Sequence, residues 1–279
     1  MRDGHVRNSW HYPTPGAVPG RQVSAAVWRA FWIWTAFFWG GTVVCATLFY
    51  VGVLDFAMSA RLGLYGTSIW LNAWLIPFVM PGAKRRDKSQ LWHEAIVIWM
   101  ICYTMTNALW EIPWVLTSPF IFTDLHTLAD VTAQTEWMRE SPLHMGWWVM
   151  ASFSAVDLRT VNHDATFYAL EFFAFMNVAG AFYFYHLNQK KSSLRYLVPV
   201  LSGGEPIAAT FIFSFSEVFA RFENMSGGWA DTLLALVWTQ YQYLVFPIIF
   251  GVVGTKLLFA DLYHTWFHDK ADHGSRGHT

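Results

Sequence analysis

The sequence predicts an all-α, polytopic membrane helical bundle with six transmembrane helices. Three observations carry that prediction. First, 54% of the 279 residues are hydrophobic and only 13% are charged, against about 25% charged in an average soluble domain. Second, the apolar residues fall into six stretches near the roughly 20 residues that a spanning helix needs. Third, basic residues alternate between the two sides that a six-span count creates, as the positive-inside rule requires. The same composition excludes other classes. Disorder needs low hydrophobicity and high net charge, and the net charge is −1. A nucleic-acid binder carries a basic stripe or high pI, and the pI is about 6.8. Cys45 and Cys102 both lie within apolar stretches, so neither a disulfide framework nor a cysteine zinc site is expected.

Along the chain, residues 1–24 hold three Pro and three Gly and read as a flexible cytoplasmic arm. The apolar run that follows starts too late and runs too long for a signal-peptide core. Two N-terminal helices fill 25–81, at about 25–56 and 64–80. The remaining spans fall at about 94–116, 166–187, 194–219 and 232–258, within a core of 82–262, and 263–279 forms a cytoplasmic tail. One side then carries Arg2, Arg7, Arg21, Lys84, Arg85, Arg86, Lys88, Lys190, Lys191, Arg195, Lys256, Lys270 and Arg276. The opposite side has only Arg61, Arg139, Arg159 and Arg221. Both termini are therefore expected in the cytoplasm. The long 117–165 segment contains Trp137, Trp147 and Trp148, and tryptophan favours the membrane interface. Part of this segment should lie on the outer surface. No internal repeat supports an inverted-repeat transporter.

An ionisable group at membrane depth costs at least about 2.5–3.5 kcal/mol, so it is a functional candidate by default. Glu111, Glu171, Glu205 and Glu217 qualify, and none has a Lys or Arg within a turn of its own span. Asn107 and Glu111 are four apart and predict one helix face, with Thr104 beside them. Interhelical hydrogen bonding is the plain alternative for this stripe. Glu171 lies among aromatics. It is either a protonated acid bonded to a backbone carbonyl or a proton donor or acceptor in an apolar cavity. Asp157, Arg159 and Asp164 precede that span and read as an interfacial salt-bridge and capping cluster, with Asp164 at the helix start. Glu217 with Ser214 and Ser216 suggests a polar lip. Glu205, between Gly203-Gly204 and Pro206, suggests a helix break whose freed backbone groups need cover.

Three segments together resemble the EXPERA membrane domain, the superfamily of the emopamil-binding sterol isomerases. Asn107-x3-Glu111-x2-Trp114 is similar to that family's His-x3-Glu-x2-Trp segment. Asp157-x-Arg159-x4-Asp164-x6-Glu171 matches its Asp-x-Arg-x4-Asp-x6-Glu spacing without a gap and is the specific element. Gly204 through Ser216-Glu217 is similar to its Gly-rich aromatic segment ending in Thr-Glu. The likeness covers about residues 84–260. It implies a five-helix core plus one extra N-terminal helix, around a lipid-sized cavity open toward the membrane. By position, Glu111 and Glu171 become the acid–base carboxyls, Asn107 the orienter of Glu111, and Asp157, Arg159 and Asp164 a structural and gating cluster at the cavity mouth. Thr104, Trp110, Trp114, Tyr168, Ala174, Glu217, Tyr243 and Phe250 become ligand-contacting residues, with an aromatic ring stabilising a carbocation.

The chain also departs from the pattern. The family His is Asn107, which exchanges no proton near neutral pH. The family Thr after the second Glu is Ala174, the last-helix Trp is replaced by Phe250, and Pro247 stands where isomerases have Asn. The leading expectation is an isomerase-like protein binding a sterol or other polycyclic or isoprenoid lipid, with no cofactor and no nucleic acid. The alternatives are a non-catalytic lipid binder and an accessory subunit of a membrane complex. A homodimer is implied by the family alone. His264-x3-His268, with His273 and His278, suggests a metal site only weakly, and a His-rich tail is the plainer reading. A bacterial inner membrane is favoured over the endoplasmic reticulum.

Overall fold

The computed structural model describes residues 21–122 and 125–275. Six helices are long and apolar enough to cross a membrane: Ala25–Tyr50, Phe56–Val79, Lys88–Ile121, Ala165–Gln189, Ser193–Phe219 and Trp229–Tyr263, here spans one to six. No strand occurs among the described residues; an isolated bridge joins Asp157 and Met225. The described helices thus form an all-α bundle. Large apolar side chains such as Phe37, Phe120, Phe182 and Phe219 are exposed on its surface, as lipid contact demands.

Side-chain caps set several helix starts. Ser24, Asp55, Asp87 and Asp164 each accept a hydrogen bond from a first-turn backbone N–H of spans one to four in turn. The expected boundary at residue 56 is corrected. Span one stops at Tyr50, Gly52 turns the chain at φ +78°, and Asp55 starts span two eight residues earlier than the apolar pattern suggested.

The helices that build the cavity are irregular. Span three contains a π turn at Asn107–Glu111, just before Pro113. Proline lacks an N–H and crowds the carbonyl four residues back, so a widened turn relieves the helix there. Span five breaks at Gly203, between helical stretches ending at Ser202 and starting at Gly204. A Cβ on Gly203 would stand 3.1 Å from the Pro199 carbonyl oxygen and 3.3 Å from that of Pro247. The glycine therefore lets spans five and six approach closely. Span six carries a second π turn at Leu234–Trp238.

At one end of the bundle, aromatic residues interlock. Trp74 meets Phe246 and Phe250 edge-on, and Trp99 packs against both. Below them lies a buried polar network. Asp261 pairs with Arg21 at 2.6 Å and Arg195 at 3.1 Å, and the Tyr196 hydroxyl meets His93 Nδ1 at 2.9 Å. Residues 21–24 are consequently anchored rather than part of a loose arm: the Ser24 N–H also donates to Glu94 at 3.0 Å. A buried Asp261 needs cations, and the chain on either side of the bundle supplies them.

At the other end, the 117–165 segment folds into short helices, including Leu128–Thr135 and Met145–Ala151. It packs on spans one and two through Phe49, Phe56, Val131, Met138 and Trp148. Trp148 lies over Gly63 and donates to the Ser59 hydroxyl at 3.1 Å.

Candidate functional site

A cavity of about 160 Å³ lies inside the bundle. Every span contributes to its wall. Aromatic rings come from Trp39, Trp70, Tyr103, Trp110 and Tyr243, and the 117–165 segment closes one side with Trp148, Val149, Ser152 and Phe153. Three carboxyls reach this wall: Glu111 from span three, Glu171 from span four and Glu205 from span five. Among the described residues no Lys or Arg lines it. The three acids share this one wall.

The carboxyls differ in their support. Among the described residues, Glu111 and Glu171 make no hydrogen bond and face the open space. Glu205 accepts a hydrogen bond from the Tyr103 hydroxyl at 3.1 Å. Its position in the first turn of the helix from Gly204 favours a negative group.

Several predicted residues fall elsewhere, each for a visible reason. Asn107 is fully buried and does not touch Glu111. Its amide donates to the Tyr103 carbonyl at 2.8 Å, and its oxygen accepts from Asn177 at 3.1 Å. The π turn explains this: with a wider turn, residues four apart no longer superpose. Asn107 thus points to span four while Glu111 points into the cavity. The orienting role expected for Asn107 is replaced by an inter-span bond.

Thr104 donates to the Met100 carbonyl and meets the Tyr185 hydroxyl at 3.2 Å. Trp114 is buried against Phe167 and Tyr168, and Tyr168 itself bonds to Ser118 at 2.5 Å. Phe250 belongs to the aromatic cluster around Trp74 and Trp99. None of these four lines the cavity. Trp110, Ala174 and Tyr243 do, together with Glu111 and Glu171.

Glu217 is corrected from a polar lip to a buried ion-pair partner. Arg159 stands at the centre of that cluster. Its Nη2 donates to Asp157 Oδ2 at 2.6 Å, its Nε lies 3.0 Å from Glu217 Oε1, and its Nη1 reaches the Phe213 carbonyl at 3.0 Å and the Ser216 hydroxyl at 2.7 Å. The guanidinium also lies 4.1 Å from the centre of the Phe213 ring. Burial pushes the Asp157 carboxyl up, and its bonds to Arg159 pull it back. Asp164 takes no part. It caps span four, accepting from the Phe167 N–H at 2.7 Å. The cluster pins the end of the 117–165 segment to span five, one layer behind the cavity residues Phe167 and Phe213. Arg159 and Asp157 thus take the structural part of the role expected for this cluster.

Glu205 was visible in the sequence as a charge at membrane depth, but it read as a cover for a helix break. Tyr103, Thr106, Asn177, Thr239 and Gln240 had no signal that set them apart from ordinary bundle residues. The side chains of His264, His268 and His273, and the whole of His278, lie outside what is described. Among the described residues no group of three or more His, Cys, Asp or Glu is placed to hold a metal ion. No protein-family model, curated protein or solved structure matches the chain.

Proposed function

We propose that this chain binds a hydrophobic lipid, sterol-like or isoprenoid, inside the bundle and shifts a carbon–carbon double bond by proton transfer. One observation carries the reading. Two carboxyls from different spans, Glu111 and Glu171, face the same aromatic-walled cavity without a hydrogen bond or a lining cation to occupy them. The chemistry balances within that pair. One neutral carboxyl gives its proton to an alkene carbon, leaving a carbocation on the neighbouring carbon. The other, as carboxylate, removes a proton from the far side of the cation, and the double bond moves by one position. The Trp70, Trp110 and Tyr243 rings that line the cavity suit the transient positive charge. General acid and base groups contribute about 10²–10⁴-fold each. The EXPERA-like spacing around Asp157, Arg159, Asp164 and Glu171 supports the same assignment.

Glu111→Gln and Glu171→Gln test it. Each variant is reconstituted in nanodiscs and given 5α-cholest-8-en-3β-ol, and double-bond isomers are separated by gas chromatography and mass spectrometry. Turnover should fall at least about a hundredfold in either variant. Wild-type rates in one would remove that residue from the chemistry.

A second reading has its own support. Asn107 is fully engaged by Asn177 and the Tyr103 carbonyl, so nothing at that position exchanges a proton. A non-catalytic lipid binder, or an accessory subunit that holds a lipid within a membrane complex, needs no such group. Under either reading the chain is an integral membrane protein with both ends cytoplasmic. The bacterial inner membrane is the favoured location.

A further inference from the structure

The three cavity carboxyls are not equivalent, and the difference assigns them different work. Glu111 and Glu171 carry no hydrogen bond. Glu205 is held by the Tyr103 hydroxyl of span three at 3.1 Å. Tyr103 is itself fixed. Its ring stacks on Trp99 with centroids 5.8 Å apart, and its carbonyl accepts a hydrogen bond from Asn107. A carboxylate has about four lone-pair sites, so one accepted bond leaves room for a partner from the cavity. A group that is pre-oriented and only partly satisfied is suited to recognition, because no ordering cost remains when a ligand arrives.

We propose that Glu205 is the specificity residue of this cavity, accepting a hydrogen bond from a hydroxyl group of the bound lipid. The ligand class is therefore a hydroxylated polycyclic or isoprenoid lipid rather than a hydrocarbon. A site built to bond a hydroxyl discriminates strongly against the analogue without one, since its polar group is then left unpaired. This inference rests on the lipid-binding part of the proposed function and is independent of whether the lipid reacts.

The test is a pair of probes on the full chain in nanodiscs: 5α-cholest-8-en-3β-ol and its 3-deoxy counterpart, each tritiated, measured by equilibrium binding. Wild type should bind the hydroxylated probe roughly 10- to 100-fold more tightly, the range for a hydrogen bond to a charged group. Glu205→Ala should bring that ratio close to one, chiefly by weakening the hydroxylated probe. Tyr103→Phe should reduce the ratio in part. Damage to the fold would weaken both probes alike, so the ratio separates recognition from structure. If Glu205→Ala does not fold, Glu205→Gln, which retains the shape and loses the charge, should still lower the ratio. An unchanged ratio in the Glu205 variants overturns the inference, as does equal binding of both probes by wild type. Binding of neither probe overturns the lipid reading itself, and this inference with it. Discrimination without isomerisation leaves Glu205 as assigned and removes only the catalytic role of Glu111 and Glu171.

Discussion

Replacing Arg159 by Met should destabilise the protein more than any other single change at the outer clamp. The Arg159 side chain is 2% exposed, so solvent screening offers no relief. It joins Asp157, Glu217, the Phe213 carbonyl and the Ser216 hydroxyl. Methionine keeps much of the volume and its contact with the Phe213 ring, but leaves two carboxyls buried without a cation. Breaking a buried pair in this way costs about 3–5 kcal/mol. For a chain of this size each kcal/mol moves Tm by about 2–4 °C, so a fall of roughly 6–20 °C is expected. The assay is thermal unfolding in mild detergent, followed by tryptophan fluorescence. The pH dependence gives a second, signed readout. Without Arg159, only burial acts strongly on Asp157, and burial raises a carboxyl. The unfolded chain releases its proton within the ordinary carboxyl range, while the folded variant holds it to higher pH. Its stability should therefore be greatest at low pH and fall as pH rises from that range through the raised folded value. Converting Asp157 and Glu217 to Asn and Gln in the same chain should restore part of the loss, because the uncompensated charges are gone. A single variant that melts with wild type, or a deficit that grows as the pH is lowered, would refute the reasoning.

Other expectations follow from particular contacts. A Cβ at Gly63 would stand 2.8 Å from Trp148 Cη2; Gly63→Ala should cost about 1–3 kcal/mol, read as a lower Tm. Asp164→Ala removes the cap of span four, at about 0.5–2 kcal/mol; an unchanged melting curve would deny that the cap matters. Asp261→Ala leaves Arg21 and Arg195 without the carboxylate they share. Destabilisation of about 3–5 kcal/mol is expected, with faster limited proteolysis near residues 21–24. The paired Glu111→Gln and Glu171→Gln variants should retain the wild-type melting temperature within a few degrees while losing turnover, since neither carboxyl holds the fold together.

The capping residues show how much of the fold could be read along the chain. Asp87 and Asp164 stand immediately before apolar stretches, and each caps the helix that follows. Apolar runs have no signature of where one helix should yield to the next, so the turn at Gly52 was absorbed into span one. The site was legible in part. Glu111 and Glu171 are conspicuous because charge is costly in lipid, and both reach the cavity. Phe250 and Trp114 carry the same residue types as the true lining and differ from it only in direction. Glu217 was conspicuous for the same reason as Glu111, yet its carboxyl is taken up by Arg159, which stands fifty-eight positions earlier in the chain.

The sequence by itself determined that this protein spans a membrane six times and that a few acids lie at a depth where acids are costly. Those properties are local: they depend on residue types within about twenty positions, which the chain states directly. Only the tertiary structure decided which acids meet. The π turn before Pro113 separates Asn107 from Glu111, and the break at Gly203 sets Glu205 beside Tyr103. The direction of a side chain around its helix depends on every irregular turn before it and on the neighbour it packs against. Periodicity along one segment contains neither.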